Sequence, residues 1–166
     1  MTVYRIDGAA SGVVVEARSS IHDSRTRWSG VAGTIEADPA DLGGATAALT
    51  VDMTRHEAGD FLRNRKLRKD LHVDRYPTAR FRLVRLRDLT RRQGDAFAAT
   101  ADGVISWHDR EVEVAAAGEG TVTADRIAAT ARFELDVRSL GVEPPRFLMF
   151  KVEEVVAVTV TLLARP

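Results

Sequence analysis

The stretch RIAATARFELDV, residues 126–137, alternates between two faces of different character over twelve positions. Phe133 and Leu135 fall on an apolar face, and Arg132 and Glu134 fall on the opposite, polar face. Successive side chains of a β-strand point to opposite sides of a sheet, so a period of two predicts one long strand. One buried face and one exposed face are typical of an antiparallel sheet.

The same two-residue period recurs through most of the chain. It is found at residues 12–21, 30–38, 45–56, 95–109, 110–116 and 156–162. Turn-forming residues separate these segments, at positions 38–44, 91–95, 108–111, 123–125 and 141–145. Seven or eight regularly spaced strands predict an all-β fold, an extended eight-stranded antiparallel β-barrel whose closure removes exposed strand edges. The length predicts a single domain over residues 1–166.

One segment, Glu57–Val73, breaks the alternation and predicts a helix over about residues 57–73. Its apolar residues are the adjacent pair Phe61 and Leu62, then Leu67 and Leu71, which follow at spacings of five and four positions. This stripe is narrow, so we expect the helix to cap the barrel rather than cross its centre. Pro77 disfavours helical geometry at Tyr76, so a new strand is expected from Thr78.

The next strand contains a change of phase. Phe81 and Leu83 share one face, but Val84 and Leu86 then place apolar residues on the other. An extra residue in one strand shifts all later side chains to the opposite face. The sequence therefore predicts a β-bulge near Val84.

The faces assigned to the barrel interior contain many small residues. They are Gly33, Ala45, Ala47, Ala99, Ala101, Gly103, Ala116, Ala129 and Ala131. Close packing requires large partners opposite small ones, and large inward side chains are few, so an incompletely filled interior with an apolar tunnel is one interpretation. The other is a flattened barrel whose walls approach closely. The candidate tunnel-lining residues are Val15, Val31, Leu49, Val51, Met53, Phe81, Leu83, Phe97, Ile105, Trp107, Phe133, Leu135, Val156, Val158 and Val160.

Composition argues against several classes of function. Lysine and arginine together number 24, as do aspartate and glutamate, so no net charge favours nucleic acid. The chain has no cysteine, which excludes disulfides and thiol nucleophiles. The four histidines, His22, His56, His72 and His108, show no metal-binding spacing. We therefore expect no metal, no cofactor other than a bound lipid, no nucleic-acid partner and no catalytic residues.

The two ends of the chain bear on location. The start has no long apolar run and no cleavage site typical of a signal peptide, so a cytoplasmic protein is expected, or a periplasmic one if a leader was trimmed. The apolar run near the end is too short to cross a bilayer as a helix, so stable membrane insertion is not expected. A homodimer formed through an exposed wall of the barrel is a further expectation.

Residues 49–83 resemble the YceI-like family of polyisoprenoid-binding, lipocalin-like barrel proteins. The strongest match is LHVDRYPTARF, residues 71–81, with its Val-x-x-Tyr-Pro-x-x-x-Phe spacing. Further similar segments are residues 4–7, 103–109, 133–142 and 154–156. The family usually has Arg-Asp-x-His-Leu where this chain has RNRKL, residues 63–67. Asn64 therefore stands in place of the aspartate and Lys66 in place of the histidine.

The resemblance implies a non-enzymatic protein that binds, sequesters or transports a long apolar ligand, a polyisoprenoid or an isoprenoid quinone. His22, near the end of the second strand, and Tyr76 are the candidate head-group contacts. Two alternatives remain open at this point. One is a hydrolase or lyase that uses histidines at the barrel mouth, and the other is a ligand-free barrel that binds proteins through the basic helix.

Overall fold

The computed structural model describes residues 1–19, 23–143, 146–147, 150–151 and 153–166. For the pairs 146–147 and 150–151 it describes the backbone. The helix α1 spans Phe61–Asp70. The strands are β1 Thr2–Ile6, β2 Gly12–Ala17, β3 Ser24–Trp28, β4 Val31–Asp38, β5 Asp41–Asp52, β6 His56–Glu57, β7 Thr78–Arg91, β8 Ala96–Trp107, β9 Arg110–Val122, β10 Ile127–Asp136, β11 Arg146–Phe147, β12 Phe150–Lys151 and β13 Val155–Arg165.

The main sheet closes on itself as an eight-stranded antiparallel barrel. Going around it, the order is β1, β4, β5, β7, β8, β9, β10 and β13, and the pairing of β13 with β1 at Ile6 and Ala164 closes the ring. Strand β2 pairs with β13 beyond the point where β1 ends, and β3 pairs with β2 in the same way that β4 pairs with β1. Strands β1 and β2 therefore act together as one long strand of the wall, and so do β4 and β3. The predicted all-β barrel with a single helix is confirmed for the described residues.

The helix is shorter than predicted. The helix begins after Asp60. The Asp60 side chain accepts a hydrogen bond from the Arg63 N–H at 2.9 Å and so caps the first turn. Glu57, expected inside the helix, belongs to β6 and pairs with Arg27 of β3. After Asp70 the chain turns, and β7 begins at Thr78, as the proline predicted.

The expected apolar stripe of α1 is only half buried. Leu71 is 8% exposed and Leu67 packs against the barrel, whereas Phe61 and Leu62 are 75% and 69% exposed. The inward face of the helix is built instead from residues 63, 66, 67 and 70. The expectation that Phe61 and Leu62 belong to the buried stripe is therefore wrong, because a different face of the helix is turned to the cavity.

The predicted bulge lies in β7. The register between β7 and β8 shifts between Leu83 and Arg85, and Val84 is 54% exposed as the extra residue. A second shift follows between Arg87 and Thr90. These bulges return the apolar residues Leu86 and Leu89 to the core side of the barrel.

Two separate apolar clusters close the two ends of the barrel. The first, called here the closed end, consists of the buried residues Tyr4, Ala37, Leu42, Ala45, Val122, Ile127 and Ala164. It lies where short turns join β4 to β5 and β9 to β10. The second, called here the capped end, consists of Trp28, Met53, Leu71, Val73, Trp107, Leu140 and Val142. It lies beneath α1 and the turn that follows the helix.

Candidate functional site

A cavity of about 500 Å³ runs through the barrel between the closed end and the capped end. Its wall is almost entirely apolar, and all fifteen candidate tunnel-lining residues lie on it. Small residues of the interior also line it, namely Ala45, Ala47, Ala99, Ala101, Ala116, Gly118, Ala129 and Ala131. The interior is therefore open rather than flattened. The role of the fifteen side chains as ligand contacts stays a prediction.

Small residues lie side by side on the wall of the cavity, where Gly118 pairs with Ala99 on one neighbouring strand and with Ala131 on the other. A Cβ atom added to Gly118 would come no closer than 3.6 Å to any atom outside its chain neighbours, so this position could hold a side chain without a clash. Gly103 has a different role, because the Phe81 ring occupies the place of its missing side chain. Phe81 thus lies flat against the sheet and narrows the cavity instead of filling it.

A group of residues of the cavity wall at the capped end, most of them polar, forms the part called here the mouth. Other polar residues of the wall, including Glu119 and Thr130, lie on β9 and β10 outside this group. The mouth residues are Ser19, Ser24, Ala58, Arg63, Lys66, Asp70 and Glu153. Ser24 pairs with Ala17 at the end of the β2–β3 hairpin, and the Glu153 N–H donates to the Arg18 carbonyl at 2.8 Å. Because Ser24, Arg63 and Glu153 are exposed, the cavity reaches the surface here.

The inner face of α1 supplies most of the charge at the mouth. The Lys66 ammonium lies 2.8 Å from the Asp70 carboxylate, one helical turn away, and both side chains are about one quarter to one third exposed. Arg63 lies 3.5 Å from Asp60. A paired ammonium and carboxylate beside an apolar cavity can donate to and accept from a polar ligand group without adding net charge.

Asn64 explains one departure from the family pattern. Its Oδ1 accepts a hydrogen bond from the Ala58 N–H at 2.7 Å, and its Nδ2 donates to the Glu57 carboxylate at 3.1 Å. An aspartate at this position would place two carboxylates against each other. The amide therefore suits this chain because Glu57 occupies the neighbouring strand, and it ties α1 to β6.

Two buried polar atoms near the mouth have no hydrogen-bond partner within the described chain: Trp28 Nε1 and His56 Nε2. Trp28 lines the cavity and is 5% exposed. His56 Nδ1 lies 3.3 Å from Asn64 Oδ1, which can only accept, so Nδ1 carries the proton and Nε2 offers a lone pair. A buried donor without a partner is costly, and an oxygen of a bound ligand could satisfy the indole N–H.

A stack of rings holds the turn after α1 against the barrel. Tyr76 stacks on His108 with ring centroids 4.3 Å apart, and the Trp107 Nε1–H donates to the Tyr76 carbonyl at 2.9 Å. His108 Nε2 lies 2.7 Å from the Leu71 carbonyl and therefore donates to it. Burial lowers the pKa of His108, and the bond to Leu71 partly offsets this effect.

The two candidate head-group residues fare differently. Tyr76 packs against the capped-end cluster but is not among the residues that line the cavity. Its ring is used by the stack with His108. His22 lies outside the described residues. Neither assignment is carried forward as a ligand contact.

Sequence reasoning missed the mouth residues on α1. Arg63, Lys66, Leu67 and Asp70 all line the cavity. They are spaced three, four and seven positions apart, which places them on one helix face. That spacing was present in the sequence, but the more apolar Phe61 and Leu62 drew the interpretation to the wrong face.

In the described ranges, no group of three or more histidine, aspartate or glutamate side chains is placed to hold a metal ion. Across the same ranges, no helix combines the length and apolar character needed to cross a membrane.

The sequence matches the model of one protein family over nearly its whole length. The model of the YceI-like domain matches residues 4–164. The chain belongs to the YceI-like family. No curated protein sequence matches the chain significantly.

Solved structures show the same barrel at low sequence identity. BcnA from Burkholderia cenocepacia is 16% identical with a TM-score of 0.77, covering 95% of this chain and 98% of that one. A polyisoprenoid binding domain from Saccharophagus degradans is also 16% identical with a TM-score of 0.77, covering 98% and 97%. The YCEI protein of Campylobacter jejuni is 11% identical with a TM-score of 0.69, covering 85% and 84%. At these identities the likeness concerns the fold.

Proposed function

We propose that this protein binds a long apolar lipid, a polyisoprenoid or an isoprenoid quinone, inside the barrel and thereby sequesters or carries it. The observation that carries the proposal is the apolar cavity of about 500 Å³ between the two end clusters. Its volume falls within the range of roughly 300–1,000 Å³ found for ligand sites. The proposal includes no catalytic step.

The energetics favour a chain-like ligand. Burial of each methylene group contributes about 0.8 kcal/mol, so one isoprene unit contributes roughly 3–4 kcal/mol before ordering costs. Such affinity needs length and apolar walls rather than a dense set of polar contacts. Branched methyl groups of an isoprenoid also suit a wall in which alanines and glycines alternate with valine and phenylalanine.

The polar mouth suggests how the ligand is oriented. The apolar chain lies toward the closed end, and its oxygen-bearing end lies toward Trp28, whose indole N–H has no partner within the described chain. Lys66 and Asp70 border the same region. The polyisoprenoid binding domain from Saccharophagus degradans shares this fold, which agrees with the choice of ligand class.

The first experiment asks what the protein holds after purification. The full chain is extracted with organic solvent and the extract is analysed by mass spectrometry, with expected recovery of a prenyl lipid. The delipidated protein is then titrated with a long-chain prenyl quinone, followed by the fluorescence of Trp28 and Trp107, which both line the cavity. Absence of both a co-purified lipid and any fluorescence change would contradict the proposal.

A matched pair of variants locates the ligand. Ala131 lines the middle of the cavity, so Ala131→Phe should weaken retention of the quinone about tenfold, consistent with the roughly 1–3 kcal/mol cost of overpacking an occupied site. Ala157 is exposed on the outside of β13, so Ala157→Phe should leave retention unchanged. Equal retention by both variants would place the ligand elsewhere.

The cytoplasmic location, the single-domain organisation and a homodimer stay predictions. Turnover of an ester or other small apolar substrate, lost on His108→Asn, would instead support the catalytic alternative. A protein that holds no lipid but retains a basic-helix partner would support the interaction-barrel alternative.

A further inference from the structure

The outward face of α1 differs from its inward face in both charge and polarity. Residues of an α-helix are about 100° apart, which places five of them on one side. These five, called here the outer face, are Phe61, Leu62, Arg65, Arg68 and Lys69, and all five are exposed. The opposite side carries Arg63, Lys66, Leu67 and Asp70 at the mouth of the cavity. The outer face thus combines two large apolar side chains with three cations and no acid.

The apolar part of the outer face is unusually exposed. Phe61 and Leu62 are 75% and 69% exposed, and with Met1 they are the most exposed large apolar side chains of the described residues. They are also adjacent, whereas Val84 and Val155 are single exposed valines on separate strands. Single exposed apolar residues are ordinary on protein surfaces, but a neighbouring pair beside a cavity mouth indicates a contact surface.

The charged part of the outer face is directed to solvent. Arg68 is paired with Asp74, so Arg65 and Lys69 carry the outward positive charge. They lie one helical turn apart, and Phe61 precedes Arg65 by another turn, so the three share one line of the helix surface. Aromatic and branched side chains next to cations are the combination that places a helix at the surface of an anionic bilayer.

We infer that the outer face of α1 docks the barrel on an anionic phospholipid bilayer, with Phe61 and Leu62 entering the boundary between head groups and acyl chains. The inner face of the same helix lines the mouth, so docking would bring the opening of the cavity to the membrane surface. A membrane lipid could then pass between the bilayer and the cavity without crossing water. The inference extends the proposed function, because a lipid carrier must reach a ligand that resides in a membrane.

The test measures binding of the full chain to vesicles. Protein is sedimented with vesicles of phosphatidylglycerol mixed with phosphatidylcholine, and with vesicles of phosphatidylcholine alone. We expect binding to the anionic vesicles, weaker binding to the zwitterionic ones, and a decrease as salt is raised. Equal binding to both, or no binding to either, overturns the inference.

Two matched pairs of variants assign the binding to the helix. Phe61→Gln with Leu62→Gln should reduce the partition coefficient at least about tenfold, since both apolar contacts are lost. Val3→Gln with Val84→Gln changes exposed residues of the barrel wall and should leave it unchanged. Arg65→Gln with Lys69→Gln should reduce it about fivefold for each cation. Arg82→Gln with Arg132→Gln removes the same charge from exposed wall positions and should have a smaller effect.

The remaining outcomes are also decisive. All substituted positions are exposed, and circular dichroism confirms that each variant is folded before vesicles are added. If the Phe61 and Leu62 variant changes sedimentation in ultracentrifugation but not vesicle binding, the outer face joins two copies of the chain and the inference is wrong. Retention of the prenyl quinone is measured on the same variants. Loss of vesicle binding with retention intact separates failure of docking from failure of the proposed function.

Discussion

An apolar cluster lies at each end of the barrel, but the two ends are held by different interactions. At the closed end, strands and short turns bring Tyr4, Ala37 and Ala164 together, and all three are fully buried. At the capped end, a helix and a turn are attached to the barrel through side chains: Asn64 accepts a hydrogen bond from the Ala58 N–H, and His108 donates one to the Leu71 carbonyl. The closed end belongs to the sheet, whereas the capped end is a separate piece placed upon it.

This difference indicates which end admits a ligand. Opening the closed end would break backbone hydrogen bonds between neighbouring strands. These bonds belong to the continuous sheet, so they would not be lost without disturbing the strands beside them. Opening the capped end requires only the loss of a few side-chain hydrogen bonds and apolar contacts. Local opening occurs preferentially where few such contacts hold a segment. The mouth residues lie at the capped end, so the polar opening and the weaker attachment coincide.

The largest expected effect is at the closed end. Tyr4 is fully buried and its hydroxyl donates to the Thr123 carbonyl at 2.7 Å. Tyr4→Ala should lower the free energy of unfolding by about 3–5 kcal/mol, as for other large-to-small aromatic changes in cores. Tyr4→Phe removes only the hydroxyl and should cost about 1 kcal/mol. Denaturant titration measures both, and a similar small loss for the two variants would contradict the importance of the closed-end cluster.

A smaller effect is expected from loosening the capped end. Asn64→Ala leaves the Ala58 N–H without its acceptor and should lower the free energy of unfolding by about 1–2 kcal/mol. Hydrogen exchange should quicken in α1 while the amides of β1 and β13 remain protected.

A second variant at the same position, Asn64→Asp, introduces the residue usual in the family and tests whether the asparagine is matched to Glu57. It keeps an acceptor for Ala58 but sets a carboxylate against Glu57, whose pKa is held low by hydrogen bonds from Gly59 and Asn64. We expect Asn64→Asp to recover its stability when Glu57→Gln is added. No recovery in the double variant would show that the asparagine is not matched to Glu57.

Much of the barrel could be predicted because its strands obey one simple rule. In β10 and β13 the two-residue period runs without interruption, and the register pairs Phe133 with Val158 as two inward residues. The inward set follows directly from which residues are apolar. The bulge near Val84 was also visible, since a change of phase appears in the sequence itself.

The mouth could not be predicted in the same way. The position of α1 depends on the cap at Asp60 and on the bond that Asn64 donates to Glu57, in a strand that is only two residues long. Such a strand has no periodicity to detect. Hydrophobicity alone placed Phe61 inward, although tertiary contacts turned it to solvent. Loops and helix ends are set by a few specific bonds, and those bonds join residues far apart along the chain.

The smallest expected effect concerns pH at the capped end. Burial lowers the pKa of His108 below its ordinary value of about 6.5, and the hydrogen bond to the Leu71 carbonyl only partly offsets this effect. When the pH falls below about 6.5, His108 takes up a proton more readily in the unfolded chain than in the folded chain. The contribution of this group to stability is therefore complete above about pH 6.5 and is lost as the pH falls toward the lowered value. Nearby His72 and Arg110 lower the pKa further, while Asp109 raises it.

The corresponding variant is His108→Asn. Asparagine tolerates the left-handed backbone at this position, where φ is 52°, so the turn is kept while the titrating ring is removed. Thermal unfolding at about pH 7.5 and about pH 5.5 should differ less for this variant than for the original protein, since these values lie on either side of the ordinary histidine pKa. Asp88→Asn, at another left-handed position where φ is 53°, serves as the control for backbone effects. An unchanged pH dependence in His108→Asn would mean that protonation does not loosen the capped end, and that its opening depends on the Asn64 anchor and apolar contacts instead.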